Sequence, residues 1–299
     1  MQPWVYFILI ANFIWSITAL IDKIVVSKGY IKNPLVYLLS NGLMNLLFVF
    51  LLPFVGIKPI GFLDFMVALI SGITLSGSLA VYYKALEYDE ISKIVVLFQI
   101  GPVFVLILSY VLFGQLLSGN NLIGFLLLIF AGILVSYKKS GNTFRFSRAF
   151  YLMVLSMFLS AISIITAKHV FSSMGFWGAF LWIRIVDFNA LAVLAMPSVR
   201  KDAAKTIKSM EPKIIWLLIF KMVIDFIGFI FGGLALSQGV VSLVSVLGSS
   251  TLPLLVFIIT LITSLYIPNI LSEDINKRIL LTKIAAITLI ITGIVFINV

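Results

Sequence analysis

The chain has no cysteine, a single histidine (His169) and only 11 acidic residues among 299. Without cysteine there is no disulfide, no thiolate metal site and no thiol nucleophile. One histidine argues against a histidine-based metal centre. Charge of either sign is scarce, at 11% of residues, where a soluble domain carries about a quarter. The metalloprotease HExxH, the Gly-x-Ser-x-Gly elbow and a phosphate-cradling glycine loop are all missing, which argues against an enzyme and against direct use of ATP. No cofactor is expected.

What the chain has instead is apolar length. It is 62% hydrophobic, carries 26 phenylalanines and has a mean hydropathy of +1.21. A bilayer span needs about 20 apolar residues at a rise of about 1.5 Å each. Ten runs fit: 4–26, 34–56, 62–86, 91–113, 120–137, 149–171, 176–197, 213–236, 241–265 and 280–298. The first is too long for a signal-peptide core and lacks a basic start and a cleavage site, so its retention is expected. The connections are short and leave no room for an extramembrane domain; the longest polar stretches are 138–148, 200–213 and 269–278. The net charge of +10 lies in those connections, which favours a lipid bilayer surface over nucleic acid as partner. The expected fold is all-α and integral to the membrane, with ten transmembrane helices.

The runs repeat. At an offset of 145 residues Phe13 meets Phe158, Ile17 meets Ile162, Lys23 meets Lys168 and Ser27 meets Ser172. At 150, Ala85-Leu86 meets Ala235-Leu236, Ser92 meets Ser242 and Val96-Leu97 meets Val246-Leu247; one further residue brings Pro102 onto Pro253. Two five-helix repeats follow, 1–139 and 149–299. An odd number of spans per repeat inserts the second one upside down, an architecture of secondary transporters whose site lies near the midplane between the halves.

Four charges sit inside apolar runs. The stretch FLWIRIVDFNALAVL (180–194) holds Arg184 and Asp187; the run 213–236 holds Lys221 and Asp225. Each costs roughly 2.5–3.5 kcal/mol at a bilayer centre. Counted from Pro197 at helical rise, Asp187 lies roughly 15 Å deep and Arg184 roughly 20 Å; from Pro212, Lys221 lies roughly 14 Å deep and Asp225 roughly 20 Å. Depth therefore matches Asp187 with Lys221 and Arg184 with Asp225. Spacing equally allows pairs within each helix, at i,i+3 and i,i+4. The four are candidates for substrate binding or coupling, or form a neutral network that fixes helix register. Polar stripes accompany them: Asn12, Ser16, Ala19 and Lys23 beside Trp15; Asn41 and Asn45; Ser92, Gln99 and Pro102; Ser242, Ser245 and Ser249. Together they suggest a hydrated central cavity lined by Asn12, Trp15, Ser16, Asn41, Asn45, Gln99, Ser245 and Ser249. Gly228 and Gly232 continue the Lys221 stripe as a small-xxx-small pair for close packing. Lys23 and Lys168 read as end-of-helix lysines that reach toward the interface, and Pro102 and Pro253 as matching bends.

The stretch 85–135, with Ala85-Leu86, Pro102, Gly114, Gly124 and Ala131-Gly132, resembles the drug/metabolite transporter superfamily in its ten-span EamA branch. ALSQGVVSLVSVLGSSTLPLL and TGIVFI echo it in the second half, and Lys23 and Lys168 match the family's lysine near the end of each repeat's first helix. Gln115 stands where that family usually has glutamate. The resemblance implies a transporter with both termini in the cytoplasm and suggests export. The charge bias points the other way. Lys28, Lys32, Lys138, Lys139, Arg145, Arg148, Arg200, Lys201, Lys205, Lys208, Lys213, Lys277 and Arg278 fall in odd-numbered loops, and the even-numbered loops have Lys58 and little else. The positive-inside rule places the odd loops in the cytoplasm of a cell membrane. The reading that results is a secondary transporter of a small polar metabolite, an amino acid or related compound, working by alternating access. Arg184 would take a carboxylate, and Asp187 or Asp225 an ammonium. Proton coupling is one option for its energy. A monomer and a homodimer both fit. A flippase for a lipid-linked intermediate is the alternative.

Overall fold

A computed structural model describes residues 2–27, 29–31, 33–85, 88, 97–136, 148–266 and 277–298. Among these residues the chain is helical, with no strand. The helices are α1 (Pro3–Ser27), α2 (Pro34–Met44), α3 (Leu52–Val55), α4 (Phe62–Ala85), α5 (Ile100–Phe113), α6 (Gly119–Ser136), α7 (Arg148–Met174), α8 (Phe176–Val186), α9 (Pro197–Ser209), α10 (Pro212–Gln238), α11 (Val241–Tyr266) and α12 (Lys277–Asn298). Two 3-10 segments interrupt this order: Asn45–Leu51 follows α2, and Asp187–Ala195 follows α8.

The helix ends follow from local chemistry. Asn33 caps α2 by accepting from the Leu35 amide at 2.9 Å, and proline opens α2, α9 and α10, where its missing N–H is no loss. Gly114 ends α5 in the left-handed conformation, its amide returning to the Ser109 and Tyr110 carbonyls. Threonine hydroxyls at 74, 166, 263, 288 and 292 bond back to carbonyls four residues earlier, so they need no partner in lipid.

Among the described residues, seven segments are long and apolar enough to cross a membrane: Pro3–Asp22, Leu35–Val55, Phe62–Ala85, Arg148–Met174, Phe176–Ala195, Pro212–Gln238 and Val241–Thr263. Three shorter apolar helices, Ile100–Phe113, Gly119–Leu134 and Ile284–Ile297, occupy the other three runs expected from the sequence. Large apolar side chains such as Phe54, Leu63, Phe130 and Ile291 are exposed, as a lipid-facing surface requires. Inside, α4 packs along α7, α1 along α10 and along α11, and α6 along α12. Small residues allow these approaches: Ser71 and Ser78 of α4 meet Ser163 and Ser156 of α7 through hydroxyl-to-carbonyl bonds of 3.0 and 2.9 Å.

One expectation is corrected. The stretch 200–213 was expected to be a polar connection. Most of it is helix α9. Val199 and Ala203, one turn apart, are buried against Ile21, Val25 and Tyr37, and the opposite face carries exposed Arg200, Lys201 and Lys205. Asn33 donates to Asp202 at 2.7 Å and ties α9 to the α1–α2 connection. Other expectations lie outside the described residues: Lys28, Lys32, Lys138, Lys139 and Arg145 of the charge count, and Leu86, Ser92 and Val96 of the repeat.

Candidate functional site

The four charges expected in the spans are all buried, at 6% exposure or less. They pair within their own helices. Arg184 Nη2 meets Asp187 Oδ2 at 2.6 Å, and Lys221 Nζ meets Asp225 Oδ2 at 2.6 Å. The pairings expected from depth, Asp187 with Lys221 and Arg184 with Asp225, are not observed. The reason is the 3-10 segment Asp187–Ala195. At about 2.0 Å per residue it sets Asp187 roughly 20 Å from Pro197, not roughly 15 Å, so it passes Lys221 in depth.

The guanidinium of Arg184 is held on several sides. Nη1 donates to Asn45 Oδ1 at 3.0 Å, and Cζ lies over the rings of Phe229 (4.4 Å to the centroid) and Phe180 (5.5 Å). Asn45 donates in turn to the Asn41 carbonyl at 2.9 Å. Three atoms of this cluster lack a hydrogen-bond partner among the described residues, Arg184 Nε, Asp187 Oδ1 and Asp187 Oδ2, the last of them held by the ion contact to Arg184 alone. Buried polar atoms are rarely left so, and such exceptions call for an explanation.

Lys221 belongs to a second cluster that includes a residue absent from the sequence reading. Its Nζ lies 3.3 Å from Asp22 Oδ1 of α1, and Tyr37 Oη donates to the same carboxylate oxygen. The Tyr37 ring stacks edge-on against Tyr83 at 5.9 Å, whose hydroxyl lies 3.4 Å from Asn41 Nδ2. Lys221 thus serves two carboxylates. The signal for Asp22 was present: it lies three residues past Ala19 on the Asn12–Ser16 stripe, where the reading took Lys23 at four.

A cavity of about 490 Å³ runs along the bundle between α1, α4, α5, α7, α8, α10 and α11. Its wall on α4 runs from Ser71 to Tyr82, roughly 16 Å of helix. Arg184 lines it, with Asn12, Trp15, Ser245 and Ser249 of the expected lining. Ser16, Asn41, Asn45, Gln99, Asp187, Lys221 and Asp225 do not line it. Asn12 donates to the Gly248 carbonyl and to Thr251 Oγ1, joining α1 to α11. Gln99 lies on Gly132 and donates to the Ser249 carbonyl at 2.9 Å, joining the α5 end to α11. Ser16 bonds to the Phe13 carbonyl of its own helix. Trp15 lies over Gly228 and Gly232, where an added Cβ would come within 2.6 and 2.7 Å of the indole, and meets Phe229 edge-on at 5.5 Å. Lys168 caps α10, donating to the carbonyls of Leu236, Ser237 and Gly239 at 2.9–3.0 Å. The two prolines differ in setting: Pro102 sits in the first turn of α5, Pro253 inside α11.

The described wall of the cavity carries one buried cation, Arg184. The EamA-like transporter family model matches residues 2–137. Over those residues the chain is similar to that family. The family so matched is one of transporters. A solved crystal structure, described only as that of a protein, superposes with a TM-score of 0.70 at 14% identity, over 99% of this chain and 97% of that one. That likeness concerns the fold alone. No curated protein matches the sequence.

Proposed function

We propose that this EamA-type chain is a ten-span secondary active transporter that exports a small metabolite by alternating access through the central cavity. The solute carries a carboxylate that meets Arg184 and belongs to the amino acids and compounds related to them. The observation that carries this reading is the cavity of about 490 Å³, within the range of small-molecule sites, with Arg184 in its wall. The helix pairings support two inverted repeats, 1–139 and 149–299. The packing of α1 on α10 has its counterpart in α7 on α4, and α1 on α11 has its counterpart in α7 on α5. The Asp22–Lys221–Asp225 cluster is the candidate for coupling to a proton gradient, since its shared lysine can pass between two carboxylates.

The test is uptake into proteoliposomes over a panel of metabolites, with and without a pH gradient. Ser160 lines the cavity, so Ser160→Trp fills it whatever the solute. Uptake by the wild type that Ser160→Trp abolishes supports the reading. Loss of the gradient effect in Asp22→Asn or Asp225→Asn places coupling in the second cluster. Solute uptake that Ser160→Trp leaves intact sinks the cavity reading. Lipid scrambling without solute uptake would favour a flippase.

A further inference from the structure

We propose that, among the amino acids and compounds related to them, the cavity takes the related monoanions with a mainly apolar body, carboxylates lacking a free ammonium group, and that this carboxylate replaces Asp187 on Arg184 while Asp187 takes up one proton. The proposal rests on the reading that this cavity is the transport site and names its substrate class.

Charge is the first argument. Arg184 is the one charged residue among the described residues that line the cavity. All six described carboxylates, those of Asp22, Asp64, Asp187, Asp202, Glu211 and Asp225, lie outside the lining. The ammonium of a zwitterion would therefore lose its water and meet only neutral acceptors, an unfavourable exchange in a low-dielectric site. The rest of the wall carries no charge: seven serines, Asn12 and Tyr82 are set among apolar side chains that include Trp15, Phe98, Phe171, Phe180 and Phe229, and these suit a body that is mainly apolar.

The second argument is the unfinished bonding of the cation. Arg184 is 5% exposed, and its Nε–H has no acceptor among the described residues. A carboxylate is the acceptor that a guanidinium edge matches best, with two parallel hydrogen bonds. Asp187 offers Arg184 one oxygen at 2.6 Å and leaves its Oδ1 without a partner. It is a single-oxygen contact that a second carboxylate can displace.

Charge balance fixes the third step. Arg184 and Asp187 together are neutral, so an added anion leaves one negative charge in the membrane interior. Arg184 is the charged group that faces Asp187. From the packed helices, the segment after α2 presents neutral Asn45 to the same cluster, and α4 presents Gly72 to the Val186 carbonyl beside it. A proton moving from water to Asp187 restores neutrality: the Asp187–Arg184 ion contact breaks, the ligand–Arg184 contact forms, and Asp187 becomes a neutral acid. Each carboxylate then binds with one proton.

The test uses the purified full chain and three probes with one body: 3-phenylpropionate, phenylalanine and phenethylamine. 3-Phenylpropionate is expected to bind the wild type more weakly as pH rises, and phenylalanine and phenethylamine at least tenfold more weakly than it does. Asp187→Asn mimics the protonated acid and is expected to bind 3-phenylpropionate at least as tightly, with a flat pH profile. The double variant Arg184→Gln/Asp187→Asn keeps the site neutral and is expected to lose on the order of tenfold to a hundredfold in affinity, the worth of a charge-assisted hydrogen bond. If Asp187→Asn does not fold, the wild-type pH profile and the probe ranking still decide. Phenylalanine binding as tightly as 3-phenylpropionate, pH-independent binding by the wild type, or unchanged affinity in the double variant overturns the proposal. Phenylalanine binding that Ser160→Trp abolishes would overturn it and leave the transport site in place; probe binding indifferent to Ser160→Trp would remove the site itself.

Discussion

At the scale of single residues, the interior of this chain is governed by charge balance. Arg184 and Asp187 sit 5% and 3% exposed and neutralise each other, so removing one strands the other. Asp187→Ala is expected to lower stability by about 3–5 kcal/mol, and Arg184→Gln/Asp187→Asn to recover most of that loss. Thermal unfolding in detergent, followed by tryptophan fluorescence, measures both; equal stability of Asp187→Ala and the wild type would show the pair to be irrelevant to folding. The second cluster is asymmetric, with one cation between Asp22 and Asp225. Lys221→Gln leaves two carboxylates facing each other, whereas Asp225→Asn leaves Lys221 still paired with Asp22. The lysine variant is therefore expected to be the less stable of the two in the same assay, and the reverse order would contradict the sharing. Four of these five residues were legible in the sequence because a charge in an apolar run stands out against its neighbours. Asp22 shares the Asn12–Ser16 stripe but does not stand out, because it lies at the end of its run next to Lys23, and nothing in spacing ties residue 22 to residue 221. Only the packing of α1 on α10 brings them together.

At the scale of elements, the sequence showed where helices lie better than how tightly they are wound. Both runs that carry the Arg184 contacts change from α to 3-10 at a contact residue, Asn45 in one and Asp187 in the other. Nothing in NLLFVFL or DFNALAVLA announces this, since both patterns suit an α-helix equally well. Runs of 3-10 longer than three or four residues are uncommon and have poorer hydrogen-bond geometry. Amides of 45–51 and 187–195 are thus expected to exchange with deuterium faster than those of Pro34–Met44 and Phe176–Val186. Mass spectrometry of the protein in nanodiscs measures this, and uniform protection along each run would contradict it. The glycine pair on α10 was legible as a close approach, but its neighbour proves to be an indole and not a helix backbone. Gly232→Ala would push against Trp15, which lines the cavity. It is expected to destabilise by about 1–3 kcal/mol through overpacking, and to reduce uptake even where the folded protein is recovered. Helix α9 was legible in principle, since Val199 and Ala203 mark one face, yet its polarity made it look like a loop.

At the scale of the whole molecule, hydropathy located the bundle because lipid tolerates few alternatives to an apolar helix of about 20 residues. It did not locate the pathway, because which polar stripes face a cavity and which bond to a neighbouring helix depends on packing. Asn45 and Gln99 bridge helices, while Trp15 and Ser249 also line the cavity. Orientation is a further property that packing leaves free, since the same bundle can sit in the bilayer either way up. Two arguments oppose each other here. The family expectation puts both termini in the cytoplasm, and the lysines and arginines of the odd loops put them outside. Helix α9 adds weight to the second, because its exposed face carries Arg200, Lys201 and Lys205 close to Asn33, and such a face suits the anionic cytoplasmic leaflet. The absence of cysteine makes the question directly measurable, since any introduced thiol is the sole target for a maleimide. Lys201→Cys lies on α9, and Gly61→Cys lies at the start of α4, at opposite ends of the spans between them. With a membrane-impermeant maleimide on intact cells, Gly61→Cys is expected to label and Lys201→Cys to remain unlabelled until the membrane is opened. The opposite pattern would mean that the family orientation holds, and that α9 presents its cations to the outer surface.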